Sequence, residues 1–380
     1  MASQKQGPAR PVAACKTPRV RRAALLAALF AVATFFVGPA AAARQASGPP
    51  GFGKNVLVFD PSMPTSQIQA TVDAIANQQV DDEMGAQRYA LLFKPGTYGT
   101  ATQPLQLKVG YYTEVAGLGA SPADVTINGK VEVYNRCLDG GGTSNCVALV
   151  NFWRSLSNLT LNVNAAGQDG CRSTANFWAV SQAAPMRRVA IEGGTLSLMD
   201  YCTAGPQYAS GGFIADSKAG TVVNGSQQQW LTRNSEIGSW SNGVWNQVFA
   251  GVAGAPPETG FPNPPYTTLD TTPLSREKPY LFVDAAGRSM VRVPSARRET
   301  RGITWAEGVT PGRTIPLRDF FVARPSTRRR RSIARSTAGS TCCSRRASTT
   351  SGAACRSSAG TPLCWASGSP RSPPIAAPFH

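Results

Sequence analysis

The side chains in this sequence that could do chemistry are carboxylates and tryptophans, because histidine is nearly absent. His380 is the single histidine, so no histidine-based triad, histidine-ligated zinc site or histidine general base can be assembled. The acidic run at 81–83, "DDE", could form a cation site or an acid pair, but it follows a predicted helix and is typical of a solvated turn. Four acids lie on or beside predicted strands without a second acid at fixed spacing: Glu114, Glu132, Asp200 and Glu236. We therefore expect no metal site and no cofactor.

Tryptophans offer flat apolar faces that pack well against the apolar faces of sugar rings. Five of them fall in the central part of the chain: Trp153, Trp178, Trp230, Trp240 and Trp245. Large aromatic side chains are mostly buried, so we expect only one or two of the five at a cleft. Trp245 is followed by Asn246 and Gln247, which makes these three residues candidates for contact with a polar ligand.

The net charge of +17 is concentrated at the two ends of the chain. Residues 1–43 carry six basic residues and residues 328–380 carry nine, with no acid in either range, so 23 basic residues remain against 21 acidic ones in between. A near-neutral body argues against a DNA-binding protein that relies on a basic patch, and we expect no nucleic-acid partner.

The N-terminal segment, residues 1–43, has the pattern of an export signal. Basic residues at 16–22 precede the apolar run "AALLAALFAVATFFV" (23–37), and "AAA" (41–43) fits cleavage at small residues. The alternative is a transmembrane anchor, but the run is short for a bilayer span of about 20 residues. We therefore expect a secreted, extracellular protein without a stable membrane anchor after cleavage.

Four cysteines lie between the two ends of the chain: Cys137, Cys146, Cys171 and Cys202. An even number in an exported chain indicates two disulfides. Cys137 and Cys146 bracket a short glycine-rich loop, "CLDGGGTSNC", which leaves Cys171 with Cys202. All three connectivities stay open from sequence. Metal ligation is the alternative, but there is no CxxC spacing and no nearby histidine.

The composition changes at about residue 327. Of the 53 residues 328–380, 47 are Arg, Ser, Ala, Pro, Thr, Gly or Cys, which is typical of a disordered tail. A second interpretation is translation in a shifted reading frame. Shifted codons of "TCCSRRASTT" (341–350) can encode Leu-Leu-Leu-Thr-Pro-Gly-Val-Tyr-Asp, close to "LLFKPGTYG" (91–99). Shifting 326–336 and 360–370 similarly yields echoes of 66–75 and 111–120. We expect an out-of-frame, disordered tail over 327–380.

The remaining body has the periodicity of an all-β protein with one leading helix. "TSQIQATVDAIANQQV" (65–80) places Ile68, Val72 and Ile75 on one helical face, with Thr65 or Ser66 as the cap. Short strand-like runs follow, separated by Gly, Asn, Asp or Ser: 89–94, 111–118, 124–129, 130–135, 146–152, 156–163, 187–193, 195–199, 211–216, 220–225, 228–234 and 243–249.

Such runs fit a sandwich, a barrel or a parallel β-helix. The recurring apolar triplet followed by an Asn or Gly corner favours the β-helix, because a coil buries its inward side chains only when the next coil stacks on it. Asn158, Asn224 and Asn234 would occupy corners, where Asn tolerates left-handed backbone angles. We predict a right-handed parallel β-helix over 44–254 with a short N-terminal capping helix and disordered ends. A Pro-rich linker with a hairpin at 278–294 would follow over 255–326.

The order of these motifs resembles the opening of the pectate-lyase-like β-helix superfamily. "VLVFDPSMPTSQIQATVDAI", "YALLFKPGTYGT" and "VGYYTEVAGLG" are similar to its helix, strand and turn. Residues 151–163, 176–191 and 210–240 resemble the first β-helix of family-55 glycoside hydrolases, which are exo-β-1,3-glucanases with two tandem β-helices. The resemblance covers about residues 54–250. It implies a carbohydrate-active protein whose partner is a polysaccharide, with β-glucan suspected.

Enzymes of the resembled family invert the anomeric carbon, which needs a carboxylic acid and a base or polar cradle for water. Their acid lies on the second β-helix, so this chain would lack it and be inactive as written. The resemblance assigns Gln182, Gln228 and Gln229 to cleft glutamines that hold the water; the alternative is an outward glutamine ladder between coils.

Two other functions stay open. One is a non-catalytic polysaccharide-binding or cell-surface β-helix protein. The other is a pectate-lyase-like polysaccharide lyase, which would need clustered acids for calcium. The sequence shows no such cluster on the predicted coils.

Overall fold

The computed structural model describes residues 52–323, apart from 165–167, 169, 244, 262 and 264, together with the strands at 341–345 and 364–367. One α-helix, α1 (Thr65–Gln79), and two 3₁₀ turns, Pro122–Asp124 and Leu317–Asp319, are found in these residues. The first strands are β1 (Val56–Phe59), β2 (Tyr89–Phe93), β3 (Gly96–Tyr98), β4 (Leu105–Lys108), β5 (Thr113–Gly117), β6 (Val125–Glu132), β7 (Arg136–Cys137), β8 (Cys146–Val147), β9 (Ser155–Val163), β10 (Ala175–Phe177), β11 (Met186–Ser197), β12 (Gly211–Ala215) and β13 (Lys218–Val223). The others are β14 (Gln229–Arg233), β15 (Glu236–Ser241), β16 (Gln247–Ala250), β17 (Tyr266–Leu269), β18 (Thr272–Ser275), β19 (Tyr280–Val283), β20 (Ser289–Pro294), β21 (Arg297–Thr300), β22 (Gly312–Pro316), β23 (Phe320–Ala323), β24 (Thr341–Arg345) and β25 (Cys364–Ser367).

Parallel pairing between successive coils dominates the architecture. Nine strands form a main ladder in the order β1-β2-β5-β9-β11-β12-β14-β16-β17. A second ladder, β6-β9-β11-β13-β15, uses the far halves of β9 and β11. These ladders are the predicted parallel β-helix. The main ladder includes β17, so the coil stack extends past the boundary that we placed at residue 254.

Inward side chains of the coils form one continuous apolar column. Leu156, Leu159 and Leu161 of β9 are all fully buried in it. The predicted apolar face of α1, at Ile68, Val72 and Ile75, belongs to the same cluster, so the helix covers the first coils. The predicted cap is wrong: α1 starts after Pro64, and no side chain caps it. Proline is suited to a helix start, where its missing N–H costs nothing.

A ladder of left-handed residues marks one corner of successive coils. It runs through Asn158, Arg188, Asp216, Asn234 and Gly251, with φ of 57°, 57°, 51°, 44° and 61°. The predicted asparagine corners at Asn158 and Asn234 are therefore confirmed. The third asparagine, Asn224, also lies in a connection, between β13 and β14, but it is not among the residues with positive φ, so the left-handed angle expected there is not found.

Several strand boundaries differ from the predicted runs. The pairs 124–129 with 130–135, and 187–193 with 195–199, are the single strands β6 and β11. Gly129 and Gly193 take φ of 145° and 70° inside them. The pairing continues at Gly129, whereas the register between β11 and β13 shifts across Gly193. The run predicted at 146–152 shortens to the two residues of β8, which pair with β7.

Both predicted disulfides are present. Cys137 is bonded to Cys146, and Cys171 is bonded to Cys202. The first joins the two strands of the β7–β8 hairpin, which lie directly opposite each other at these residues.

The segment after β17 packs back onto the coils. The predicted hairpin is formed by β19 and β20, and β22 extends it into a three-stranded antiparallel sheet. Leu281, Val291 and Val293 from this sheet bury Ala116 and Leu118 on the outer face of the early coils. The Pro-rich segment is thus attached to the β-helix along much of its length.

The C-terminal prediction lies mostly outside the described residues, and so does the export segment. Within the tail, β24 and β25 continue a parallel ladder from β23. The shifted reading frame stays a prediction. Among the residues that were searched for membrane spans, which are the described ones, no helix is long and apolar enough to cross a bilayer.

Candidate functional site

A groove of about 960 Å³ runs along the amino-terminal ends of the main-ladder strands. It crosses β1, β2, β5, β9, β11, β12 and β14, so each coil contributes side chains to it. Its lining includes Tyr112, Glu114, Trp153, Gln182, Phe213 and Gln229. Because the coils stack in parallel register, side chains from equivalent positions form rows along the groove.

Two stacked aromatic rings form part of the groove wall. The rings of Tyr112 and Trp153 lie with centroids 5.2 Å apart and planes 10° from parallel. The Arg88 guanidinium lies over the Tyr112 ring, 3.2 Å from its centroid. The amide of Tyr112 donates to the Trp153 carbonyl at 2.6 Å, which ties the two coils together at this point.

The predicted glutamines separate into exposed and buried residues. Gln182 and Gln229 are exposed and line the groove together. Gln228 is fully buried, and its amide donates to the Leu198 carbonyl at 2.7 Å and accepts from the Trp230 indole. Adjacent residues on a strand point to opposite faces, so the predicted cleft position of Gln228 is wrong, and of these two neighbours only Gln229 lines the groove.

The predicted group at 245–247 does not line the groove. Gln247 is fully buried, and its amide donates to the carbonyls of Gln228 and Trp245 at 2.6 and 2.8 Å. Trp245 and Asn246 are exposed but are not among the groove residues. Gln247 therefore joins neighbouring coils, and its predicted contact with a ligand is not supported by this geometry.

The tryptophans divide between the core and the groove as we expected. Trp178, Trp230 and Trp240 are buried in the core of the coil stack. Trp153 is half-buried in the groove wall, so one of the five reaches the cleft.

Glu114 is the one carboxylate among the described residues that line the groove. It forms an ion pair with Lys278, whose Nζ is 3.5 Å from Oε1. An inverting hydrolase needs two such groups about 6.5–9.5 Å apart, and the described lining residues supply one. In the described part of the chain, there is also no group of three or more His, Cys, Asp or Glu residues placed to hold a metal ion.

The other three candidate acids are held in structural contacts. Glu132 is buried, which raises the pKa of its carboxyl, and it accepts from the Phe177 amide at 3.1 Å. Asp200 accepts from the Asn135 amide at 3.1 Å and pairs with Arg172 at 3.3 Å. Glu236 pairs with Lys218 at 3.6 Å.

The segment after β17 contributes one residue, Lys278, to the groove. Glu277 is buried, and both of its carboxylate oxygens accept from Nη2 of Arg233, at 2.7 and 2.8 Å. Arg187 approaches the same carboxylate at 3.9 Å and lies 4.5 Å over the Phe213 ring. Burial lowers the pKa of the Arg187 guanidinium. These contacts fix Lys278, the next residue, beside Glu114.

Sequence reasoning missed Tyr112 and Lys278 as groove residues and gave Glu114 no partner. A signal for Tyr112 was present: aligning the inward triplets of successive coils puts "GYYTE" beside "NFWRS", with the second aromatic of each in register. No local pattern could have found Lys278, because it reaches the groove from a segment 164 residues away from Glu114.

Comparison with known proteins finds similar sequences and similar solved structures. A curated exo-beta-1,3-glucanase from Streptomyces sp. (strain SirexAA-E / ActE) is 47% identical over 287 residues, which is 75% of this chain and 43% of that protein. The solved structure of sacteLam55A from Streptomyces sp. SirexAA-E has a TM-score of 0.67 at 45% identity, over 77% of this chain and 48% of that one. A sacteLam55A variant in complex with glucose gives a TM-score of 0.65 at 44% identity, over 78% of this chain and 50% of that one.

The chain spans half or less of the length of these relatives. No family model matches it.

Proposed function

Because the chain belongs to the pectate-lyase-like parallel β-helix superfamily and is related to the first β-helix of family-55 glycoside hydrolases, we propose that it is the N-terminal half of an exported β-glucanase-like glycoside hydrolase. In this proposal the groove binds a β-1,3-linked glucan. The groove carries the proposal, because it combines an aromatic wall at Tyr112 and Trp153 with exposed amides at Gln182 and Gln229. Apolar ring faces and equatorial hydroxyls of a glucan need such a combination.

In this proposal, the chain binds glucan without hydrolysing it. Glu114 is a single carboxylate, already in an ion pair with Lys278. Protonation of a leaving oxygen and activation of water need two separate groups. The second group would come from the part of the relatives that this chain does not span.

A binding assay tests the proposal directly. The full chain is incubated with insoluble β-1,3-glucan, and the bound fraction is measured together with release of reducing sugar. We expect binding without release. Gln229→Ala should weaken binding, whereas Gln67→Ala, an exposed glutamine on α1 outside the groove, should leave it unchanged. Equal binding by wild type to an unrelated insoluble polymer would contradict the proposal.

A non-catalytic glucan-binding protein is the second candidate, and the single carboxylate of the groove favours it. The two candidates differ in a longer gene product whose reading frame is restored near codon 327. Release of glucose from β-1,3-glucan by that product would support the hydrolase. Binding with no release would support the non-catalytic protein.

Export is supported by the two disulfides, since such bonds persist in oxidising compartments. Mass spectrometry of protein recovered from culture medium tests this proposal. We expect an N-terminus near residue 44 and both disulfides intact. Recovery from the cell fraction alone, with free thiols, would contradict export.

A further inference from the structure

Three asparagines in the sequence are followed directly by glycine: Asn128, Asn224 and Asn242. This dipeptide is chemically labile, because a glycine nitrogen with no side chain beside it can attack the carbonyl carbon of the preceding asparagine side chain and close a succinimide ring. In a folded protein the reaction depends on access of water and on whether the two reacting groups are free to approach each other. The surroundings of the three asparagines differ in both respects.

Asn242 lies in the connection between β15 and β16 and is exposed. Its backbone is left-handed, with φ of 64°, and Gly243 follows with φ of 154°. Among the described residues, neither the Asn242 side chain nor the Gly243 amide has a hydrogen-bond partner. Both reacting groups are therefore open to water, and glycine gives the backbone the widest choice of angles for ring closure.

Asn224 occupies the matching position one coil earlier. The paired strands β13 and β15 end in register, and Asn224 and Asn242 are the residues that follow them. Asn224 is fully buried, and its backbone N–H donates to the Ser241 carbonyl at 3.1 Å. Gly225 is also buried, so close to Met199 that an added Cβ would collide with the sulfur. Water and hydroxide therefore reach this pair only when the coil opens.

Asn128 is protected in a different way, because it lies inside β6. Its side-chain amide donates to the Gly99 carbonyl at 3.2 Å, and its side-chain oxygen accepts from Asn162 at 2.9 Å. Gly129 is paired with residues of both β4 and β9. The amide is thus fixed at both ends, and ring closure would require the chain to leave the ladder.

We propose that Asn242 is a site of spontaneous modification, at which the fold permits conversion to aspartate and isoaspartate, while the same fold protects Asn128 and Asn224. The reaction needs no partner other than water, and it is independent of glucan binding.

The steps of the conversion balance without any change of oxidation state. Hydroxide takes the proton of the Gly243 nitrogen, which bonds to Cγ of Asn242. The Cγ–Nδ2 bond breaks, and ammonia leaves with a proton from water. Water then opens the cyclic imide: cleavage at Cγ gives aspartate, and cleavage at the former main-chain carbonyl gives isoaspartate. In sum, a water is consumed and an ammonia is released.

Isoaspartate at this position changes a contact of β17, the last strand of the main ladder. The Asn242 carbonyl accepts from the Tyr266 hydroxyl at 2.8 Å, and the Tyr266 ring packs edge-on against Phe249 in the apolar column. In isoaspartate the main chain runs through Cβ and Cγ, so the former carbonyl becomes part of a free carboxylate. The connection between β15 and β16 is then longer and carries a negative charge beside Tyr266. We therefore expect faster hydrogen exchange in β17 of the modified form.

Peptide mapping of the full chain tests the proposal. The native protein is incubated at mildly alkaline pH, and asparagine, aspartate and isoaspartate at the three positions are quantified by chromatography and mass spectrometry. We expect conversion at Asn242 and conversion slower by about a hundredfold or more at Asn128 and Asn224, since both require local opening. Asn242→Gly, which keeps the left-handed angle at no steric cost, should remove the signal of the exposed position.

The same incubation in denaturant is the matched control. Without the fold, the three Asn-Gly pairs should react at similar rates. Similar rates in the native protein, or faster conversion at Asn128 or Asn224 than at Asn242, would overturn the proposal. So would an Asn242 that stays intact in the native protein but reacts in denaturant. Absence of reaction at all three positions in denaturant would contradict the chemistry on which the proposal depends.

Discussion

Arg188 and Asp216 form an ion pair inside the protein, with the guanidinium Nη1 3.2 Å from carboxylate Oδ2 and both side chains buried. They are neighbours on the left-handed corner ladder. Asp216 also accepts from the amide and hydroxyl of Thr304, at 2.6 and 2.8 Å, and its carbonyl accepts from the Trp305 indole at 2.8 Å. The pair therefore joins the coil stack to the segment after β17, which also contributes Lys278 to the groove.

Removing one member of this pair is expected to destabilise the protein strongly. Asp216→Ala leaves the Arg188 guanidinium buried without a counter-charge, which costs about 3–5 kcal/mol. Glu236→Ala, which breaks the more exposed pair with Lys218, is the control and should cost less than about 1 kcal/mol. Denaturant unfolding of both variants measures the difference, and equal losses would contradict it.

The same carboxyl gives stability a defined pH dependence. Burial raises the pKa of Asp216 from 3.8 to about 6. Between pH 4 and 6 the folded protein therefore holds a proton that the unfolded chain has released, so this group makes stability fall as pH rises through that window, by about 3 kcal/mol. Asp216→Asn should lack this fall. Parallel curves of unfolding free energy against pH for the two proteins would show that another group is responsible.

Substitution of the adjacent glutamines Gln228 and Gln229 should affect stability to very different degrees. Gln228→Ala removes the acceptor of the buried Trp230 indole and the donor to Leu198, so it should lower stability by about 1–3 kcal/mol. Gln229→Ala should change stability by less than about 0.5 kcal/mol, because its side chain is exposed. Thermal unfolding of the two variants tests this contrast, and a larger loss in Gln229→Ala would reverse our assignment of inward and outward faces.

The apolar column can be tested at one strand position. Leu161→Ala should cost about 2–5 kcal/mol, since Leu161 is fully buried in the coil interior. Leu231 is 40% exposed on an outward position, so Leu231→Ala should cost well under half as much. Urea unfolding gives both values, and similar costs would be incompatible with a single interior column.

The two disulfides should differ in their contribution. Cys171–Cys202 closes a separation of 31 residues and Cys137–Cys146 one of 9. Constraint of the unfolded chain grows with loop length, which gives about 4 and about 3 kcal/mol respectively. Paired serine substitutions, Cys171→Ser with Cys202→Ser and Cys137→Ser with Cys146→Ser, should destabilise in that order by denaturant unfolding. The reverse order would mean that native contacts of the short hairpin outweigh loop closure.

Much of the coil stack was predictable from local pattern. Alternating apolar positions located β2, β5, β9, β12 and β14 to within a few residues, because inward side chains repeat with period two. The pattern failed where the backbone bends inside a strand. Gly129 and Gly193 read as turns in sequence. The chain nevertheless stays paired at Gly129, and across Gly193 it shifts register against β13 and then pairs again. β15 was missed altogether, because "EIGSWS" carries few apolar residues.

The candidate site was less predictable than the fold. Gln228 and Gln229 are neighbours with the same chemistry, and the side of the strand alone decides which is buried and which reaches the groove. Trp153 could be suggested as a cleft residue only as one of five tryptophans.

The sequence by itself determined the repeating unit of this protein: short strands with inward apolar residues, a leading amphipathic helix and cysteines that pair in two disulfides. Those features follow from side-chain periodicity and from composition, which are local properties. Only the tertiary structure decided which residues share a row along the groove, how Lys278 comes to meet Glu114 and why Asp216 is buried beside Arg188. Each of these depends on how coils stack and on a segment that returns from far along the chain, and local periodicity carries no information about either.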